Sequence, residues 1–348
     1  MPMVPIVPGV EINVLIVVFL GLAIGVTSGF GGGGGGFIMT PALIILGVPA
    51  HYAVGISMLW VMGNSLMGAI RHHQEGNVDF KLAFIAAIFV IGGIEVGVRL
   101  LNFAQSRNVA EEAVLYISIV VLFLVGAYMF WALRRTNSES NTGSNPESQT
   151  GLSRQISSIR IPPVILFSKS GVSVSLVFVA AIGIVTGILS GFLGVGGGFL
   201  IVPSLIYLLG VPSYTAVGTC LLLFIFSSAY GSFRHIISGN VLIYVSLLML
   251  VGSSIGVQVG ALATRYIKGI SMRFVLANTI FVAALGSALK LLSLLINNPG
   301  DWLQATTHIV TFGGLGVIIV MIMVLLIRGI RRRQAVYQVS PVDPLLKK

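Results

Sequence analysis

The chain has 348 residues, 56% of them hydrophobic and only 9% charged, more apolar surface than a water-soluble domain could hide. The formal charge of +10 does not point to nucleic acid, because the basic residues gather in short loops beside apolar runs. One cysteine, Cys220, excludes an internal disulfide, and no Cys/His cluster has metal spacing, so neither a metal nor another cofactor is expected. In chain order, apolar runs near the ~20 residues a bilayer requires fall at about 12–30, 52–70, 82–101 and 113–133. A shorter apolar segment near 37–47 follows the first of them and suits a half-helix or re-entrant piece. Arg134 to Ser170 is rich in Ser, Asn, Thr and Gly without apolar periodicity and reads as a flexible linker. Five further runs follow at about 172–192, 214–233, 241–262, 272–296 and 307–327, with a second short segment near 199–210. The expected architecture is an all-α polytopic membrane protein: a first transmembrane repeat (1–133), a cytoplasmic polar linker (134–171), a second repeat (172–330) and a basic cytoplasmic tail (331–348).

The repeat is legible residue by residue. Ser28-Gly29-Phe30 matches Ser190-Gly191-Phe192, Gly47-Val48-Pro49 matches Gly210-Val211-Pro212, and Ala53-Val54-Gly55 matches Ala216-Val217-Gly218. Further on, Arg71-His72 matches Arg234-His235, and Gly76-Asn77 matches Gly239-Asn240. After a one-residue insertion near Leu209 the spacing stays constant, which points to gene duplication. Positive loops stay cytoplasmic. With the amino terminus outside and the carboxyl terminus cytoplasmic, only Arg99, Arg107 and Arg234 fall on the outer side, Lys290 lies within a span near its outer end, and the other Lys and Arg residues fall inside. In this topology the two halves are inverted repeats, and two glycine tracts are expected to meet near mid-membrane, where a site can open to either face in turn.

Those tracts are Gly31 to Gly36 and Gly194 to Gly198, the latter interrupted by Val195. Consecutive glycines break a helix, and broken helices in lipid are tolerated only where the freed backbone is buried or lines a cavity. A helix-compatible segment follows each tract, so unpaired N–H groups and a positive dipole end would face the gap. Gly32, Gly33, Gly34, Gly35 and Gly36 with Gly194, Gly196, Gly197 and Gly198 are therefore candidate anion ligands, aided by the hydroxyls of Ser28, Thr40, Ser190 and Ser204. The alternative is that these glycines only let helices pack closely. Asn64 and Ser227, each followed by a serine, either line the path or bond helices together. Arg71, His72 and His73 close one long helix, and Arg234 and His235 close its mate. Arg can fork an oxyanion and His can carry a proton, so these are gate or proton-coupling candidates; equally, they can cap helix ends. Glu95 and Arg99, four apart on one span, read as a self-neutralised structural pair whose repeat mate is Gln258. There is neither a nucleophile–base pair in register nor a metal-ligand cluster, which argues against an enzyme.

The doubled glycine break, the doubled GVP turn, and helices ending Arg-His before Gly-Asn, once in the fuller form Arg71-His72-His73-Gln74-Glu75-Gly76-Asn77-Val78-Asp79, resemble the sulfite exporter TauE/SafE family. The resemblance covers nearly the whole chain outside the tails and linker. It implies an inner-membrane permease for a small sulfur-containing anion, sulfite or an organosulfonate, usually moved outward. The second copy departs from the motif with Ile236-Ile237-Ser238. A secondary transporter working by alternating access is the expected function, with the lipid bilayer and the anion as partners. Protons and a second copy of the chain are left open as further partners, and a gated anion channel or an importing permease is the alternative.

Overall fold

The computed structural model describes residues 3–7, 10–31, 35–139, 161–196, 198–267, 269–296 and 301–339. After a short hairpin of β1 (Met3–Val7) and β2 (Val10–Asn13) come α1 (Val14–Gly31), α2 (Gly36–Ile45), α3 (Ala50–Gln74), α4 (Phe80–Ser106) and α5 (Ala110–Glu139). A second hairpin, β3 (Val164–Phe167) with β4 (Val172–Ser175), precedes α6 (Leu176–Leu193), α7 (Gly198–Pro203), α8 (Ser213–Ile237), α9 (Ile243–Thr264) and α10 (Gly269–Leu295). The chain ends in α11 (Asp301–His308) and α12 (Gly314–Val339), joined by a π-helical turn at Ile309–Gly313. A like turn, Ser204–Leu208, extends α7. Among the described residues nine helical stretches are long and apolar enough to cross a membrane, in the expected order. α2 is the short apolar helix between the first two.

Helix ends follow local chemistry. The Asp79 carboxylate caps α4 by accepting from Leu82 N at 3.0 Å, and Ser175 Oγ accepts from Val177 N at the start of α6. α6 stops where Gly194 turns left-handed at φ 70°, a conformation that costs a side-chain-bearing residue more than glycine. Two expectations about the 134–171 linker change. α5 continues to Glu139, and the linker's last part is a hairpin whose apolar residues include the fully buried Phe167. Asp79 anchors that hairpin, its Oδ2 accepting from Ser170 N at 3.1 Å and Ser170 Oγ at 2.7 Å. Asp79→Ala is expected to cost about 1–2 kcal/mol, seen as a lower unfolding temperature, and Asp79→Asn to restore the cap but not both Ser170 bonds. An unchanged temperature in both variants would show that the hairpin is not held this way.

Packing between helices rests on glycine. α1 and α9 run side by side in one direction so closely that a Cβ on Gly21 or Gly29 would strike the Met249 or Val257 backbone, and one on Gly25 would lie 2.8 Å from Ser253 Cα. A Cβ on Gly252, Gly256 or Gly260 would strike the carbonyl of Val18, Leu22 or Val26. α4 and α6 repeat the arrangement at the repeat spacing: Gly187 against Val90, Gly191 against Ile94, Gly93 against Ile184 and Gly97 against Ile188. Without water to expel, helices in lipid gain from close contact, which small residues permit. Each half thus packs its helices on the other's. α3 and α8 meet closely at their ends as well, Gly55 lying against the Asn240 carbonyl in the turn after α8 and Gly218 against the Asn77 carbonyl in the turn after α3.

Candidate functional site

The two glycine tracts meet. Gly35, left-handed at φ 73°, precedes α2, and its carbonyl accepts from Ile38 N and Met39 N at 3.1 Å. A Cβ on Gly36 would lie 2.8 Å from Gly194 O and from Val195 Cα and C, so the first turn of α2 sits directly on the second tract. Around this contact stand α3 and α8. A Cβ on Gly35 would lie 2.8 Å from the Trp60 ring and from Ile24 Cγ2. One on Gly194 would reach Val54 Cα at 2.6 Å, and one on Gly196 would reach Val61 Cγ1 at 2.8 Å and Ser228 Oγ at 3.5 Å. Gly198 opens α7. Gly32, Gly33, Gly34 and Gly197 lie outside the described residues.

The surroundings are polar without being charged. Asn64 Nδ2 donates to Ser28 Oγ at 2.7 Å, joining α3 to the last turn of α1. Its Oδ1 has no protein partner, and neither do the buried side-chain atoms Thr40 Oγ1, Ser190 Oγ, Ser227 Oγ and Ser228 Oγ. Ser57, Trp60 Nε1 and Ser65 on α3, and Ser232 on α8, add further unpartnered polar atoms. Burying a polar group without a partner costs about 1–3 kcal/mol, and such groups call for water or a guest. Ser204 is only half-buried, in the turn that extends α7. Sequence reasoning did not single out Ser57, Trp60 or Ser232. The signal was the spacing Ser57, Trp60, Asn64 and Ser228, Ser232, each a stripe on one helix face. What this centre offers a ligand is neutral: hydroxyls, an indole N–H and backbone at the start of a helix.

The sequence model of the sulfite exporter TauE/SafE family matches residues 17–287, a span that contains both tracts, α3, α8 and both Arg-His pairs. The chain belongs to the sulfite exporter TauE/SafE family. Among similar proteins, the probable membrane transporter protein YunE of Bacillus subtilis is 26% identical over 72% of this chain and 88% of its own length. The probable membrane transporter protein YdhB of the same organism is 26% identical over 78% of this chain and 98% of its own. A probable membrane transporter protein of Methanocaldococcus jannaschii, MJ0441, is 24% identical over 55% of this chain and 60% of its own. No solved structure matches. This TauE/SafE protein is a multi-pass membrane transporter.

The Arg and His residues of the transporter's two motifs part company. His72 and His235 are fully buried, with Nε2 3.3 Å from the Gly29 carbonyl and 3.2 Å from the Gly191 carbonyl respectively. Each thus braces the helix end that leads into a glycine tract. His73 is exposed and edge-on to the Phe80 ring at 5.2 Å between centroids. Arg71 faces Glu75, Nε to Oε1 3.5 Å. Arg234 instead grips Glu95 through two bonds, Nε to Oε2 2.6 Å and Nη2 to Oε1 3.1 Å. Glu95 also accepts from Arg99 Nε and from Tyr230 OH, both at 2.8 Å. The self-contained Glu95–Arg99 pair expected from spacing is therefore corrected: the carboxylate ties α4 to α8, a partner far along the chain that helical periodicity cannot reveal.

Proposed function

We propose that this transporter exports sulfite or a small organosulfonate by alternating access of two inverted halves, holding the anion where the glycine tracts meet. The observation that carries this reading is the seating of α2's first turn on Gly194 and Val195, with the Trp60 ring beside Gly35, Ser228 Oγ beside Gly196, and neither Trp60 Nε1 nor Ser228 Oγ bonded within the protein. A sulfur oxyanion presents several acceptor oxygens to hydroxyls, an indole N–H and helix N-terminal amides, which bind a dispersed negative charge without a fixed cation. Weak neutral ligation also lets the ion leave. An inside-negative potential favours anion exit by ~2.3 kcal/mol per charge per 100 mV, so outward movement requires no coupling ion. The histidines buried on Gly29 and Gly191 support a bracing role rather than a proton relay.

Sulfite efflux from liposomes under an imposed inside-negative potential tests this. Wild type is expected to carry sulfite, and Trp60→Phe, which removes the N–H donor and keeps an aromatic side chain, to raise the half-saturating concentration by about tenfold, the weight of one hydrogen bond to a charged group. Flux of another anion in place of sulfite would reassign the substrate, and resolved single-channel currents would assign a channel.

A further inference from the structure

The two ends of the molecule use the same repeat positions in different states. Where α8 ends, α4 is stitched to it: beyond the Glu95–Arg234 pair, Asn102 Nδ2 donates to Ser238 Oγ at 3.0 Å and Asn240 Nδ2 donates to Asn102 Oδ1 at 3.2 Å. The constant repeat spacing puts Arg265 where Asn102 stands, Glu75 where Ser238 stands and Asn77 where Asn240 stands. These three make no such bonds with one another. With Gln74, Tyr214 and Thr264 they line a polar pocket of ≈ 440 Å³. Beside it the Arg71–Glu75 pair is slack: Arg71 Nε and Glu75 Oε1 are buried, 3.5 Å apart, and neither has a hydrogen-bond partner. Among the described residues no carboxylate pairs with Arg265, which is exposed.

We propose that this pocket is the open mouth of the transport path and receives a small oxyanion at Arg265. It closes when Arg265 is drawn onto Glu75 and Asn77, as Asn102 is drawn onto Ser238 and Asn240 at the other end. The inference rests on the reading of two inverted halves. One triad is zipped while the other is splayed, and exchange of the two states is the alternation. The pieces suit the task. Arg265 binds a carboxylate or a sulfur oxyanion through the same fork, so an arriving anion competes with Glu75 for it and keeps the mouth open until it moves on. Glu95, whose mate is the uncharged Gln258, gives the opposite end the firmer closure, which accounts for the resting state seen.

Paired cysteines test it in the full chain, with the buried Cys220 retained. N102C with S238C is expected to cross-link on oxidation in the resting protein and to stop sulfite efflux until a reductant is added. E75C with R265C is expected to link slowly, and about tenfold or more faster once Glu95→Gln loosens the other end, because a minor state of a few per cent becomes a major one. In a chain carrying all four cysteines, peptide mapping is expected to find one link or the other in a given molecule. Both links in one molecule, an N102C–S238C link that leaves flux at the wild-type level, failure of that link to form, or an E75C–R265C rate indifferent to Glu95→Gln would each overturn the proposal. Mutual exclusion is read without any substrate, so a wrong assignment of sulfite would show separately as absent flux in the unlinked protein.

Discussion

Gly36→Ala is expected to cut anion flux about tenfold or more while leaving the transporter folded. The atoms nearest the added methyl are backbone, Gly194 O and Val195 at 2.8 Å, and backbone that is itself wedged against Val54 cannot step aside cheaply. Overpacking of this kind costs ~1–3 kcal/mol, and each 1.36 kcal/mol placed on a transport barrier is about tenfold in rate. In the proposed alternation of two halves this contact has to form and part, so the cost falls on rate before stability. Gly92→Ala is the control: a Cβ there meets nothing within 4 Å, and in the middle of α4 alanine is the better helix former. Liposome efflux normalised to monodisperse protein decides between outcomes. Equal flux in Gly36→Ala and wild type would reduce the tract to a packing device.

Gly187→Val and Gly256→Val are expected to act on stability instead, each lowering it by ~3 kcal/mol or more. A side chain at Gly187 drives into the Val90 carbonyl of α4, and one at Gly256 into the Leu22 carbonyl of α1. These carbonyls belong to intact helices that cannot yield locally, so the helix pair must separate along its length. That forfeits the contacts which hold helices together in lipid. Unfolding temperature in detergent and the yield of folded protein are the measurements. The repeat mates of these two glycines are Gly25 and Gly93, but each site drives a side chain equally far into a carbonyl of the helix it faces, so losses of similar size are expected, and a large loss in one with none in the other would contradict the matched packing of the two helix pairs.

How far the sequence reaches can be judged from particular residues. The nine spans, the short helix after Gly36 and the doubled motifs follow from apolar run length and from self-similarity, both local properties of the chain. That glycine tracts break helices is likewise intrinsic to glycine. The second hairpin was not foreseen: its strands, Val164–Phe167 and Val172–Ser175, are four-residue stretches inside or beside polar text, below the length at which periodicity speaks. Their pairing is fixed partly by Asp79, 91 residues from Ser170.

The site divides the same way. Gly35, Gly36, Gly194, Gly196, Ser28 and Asn64 were legible as candidates because a repeated glycine run and polar residues in apolar helices are conspicuous in one dimension. Whether His72 and His235 faced a mouth or the interior was not legible, since an Arg-His pair reads alike at either place; burial against the Gly29 and Gly191 carbonyls decided it. Glu95 looked self-sufficient beside Arg99, and only folding brought Arg234 to it across 139 residues. By itself, then, the sequence determined a membrane-spanning helical chain with a duplicated, glycine-broken plan, because bilayer thickness and backbone flexibility act on neighbouring residues. Which tract touches which, which arginine holds which carboxylate and which end is zipped were decided by tertiary structure, because these depend on where helices cross, a property of distances between residues far apart in the chain.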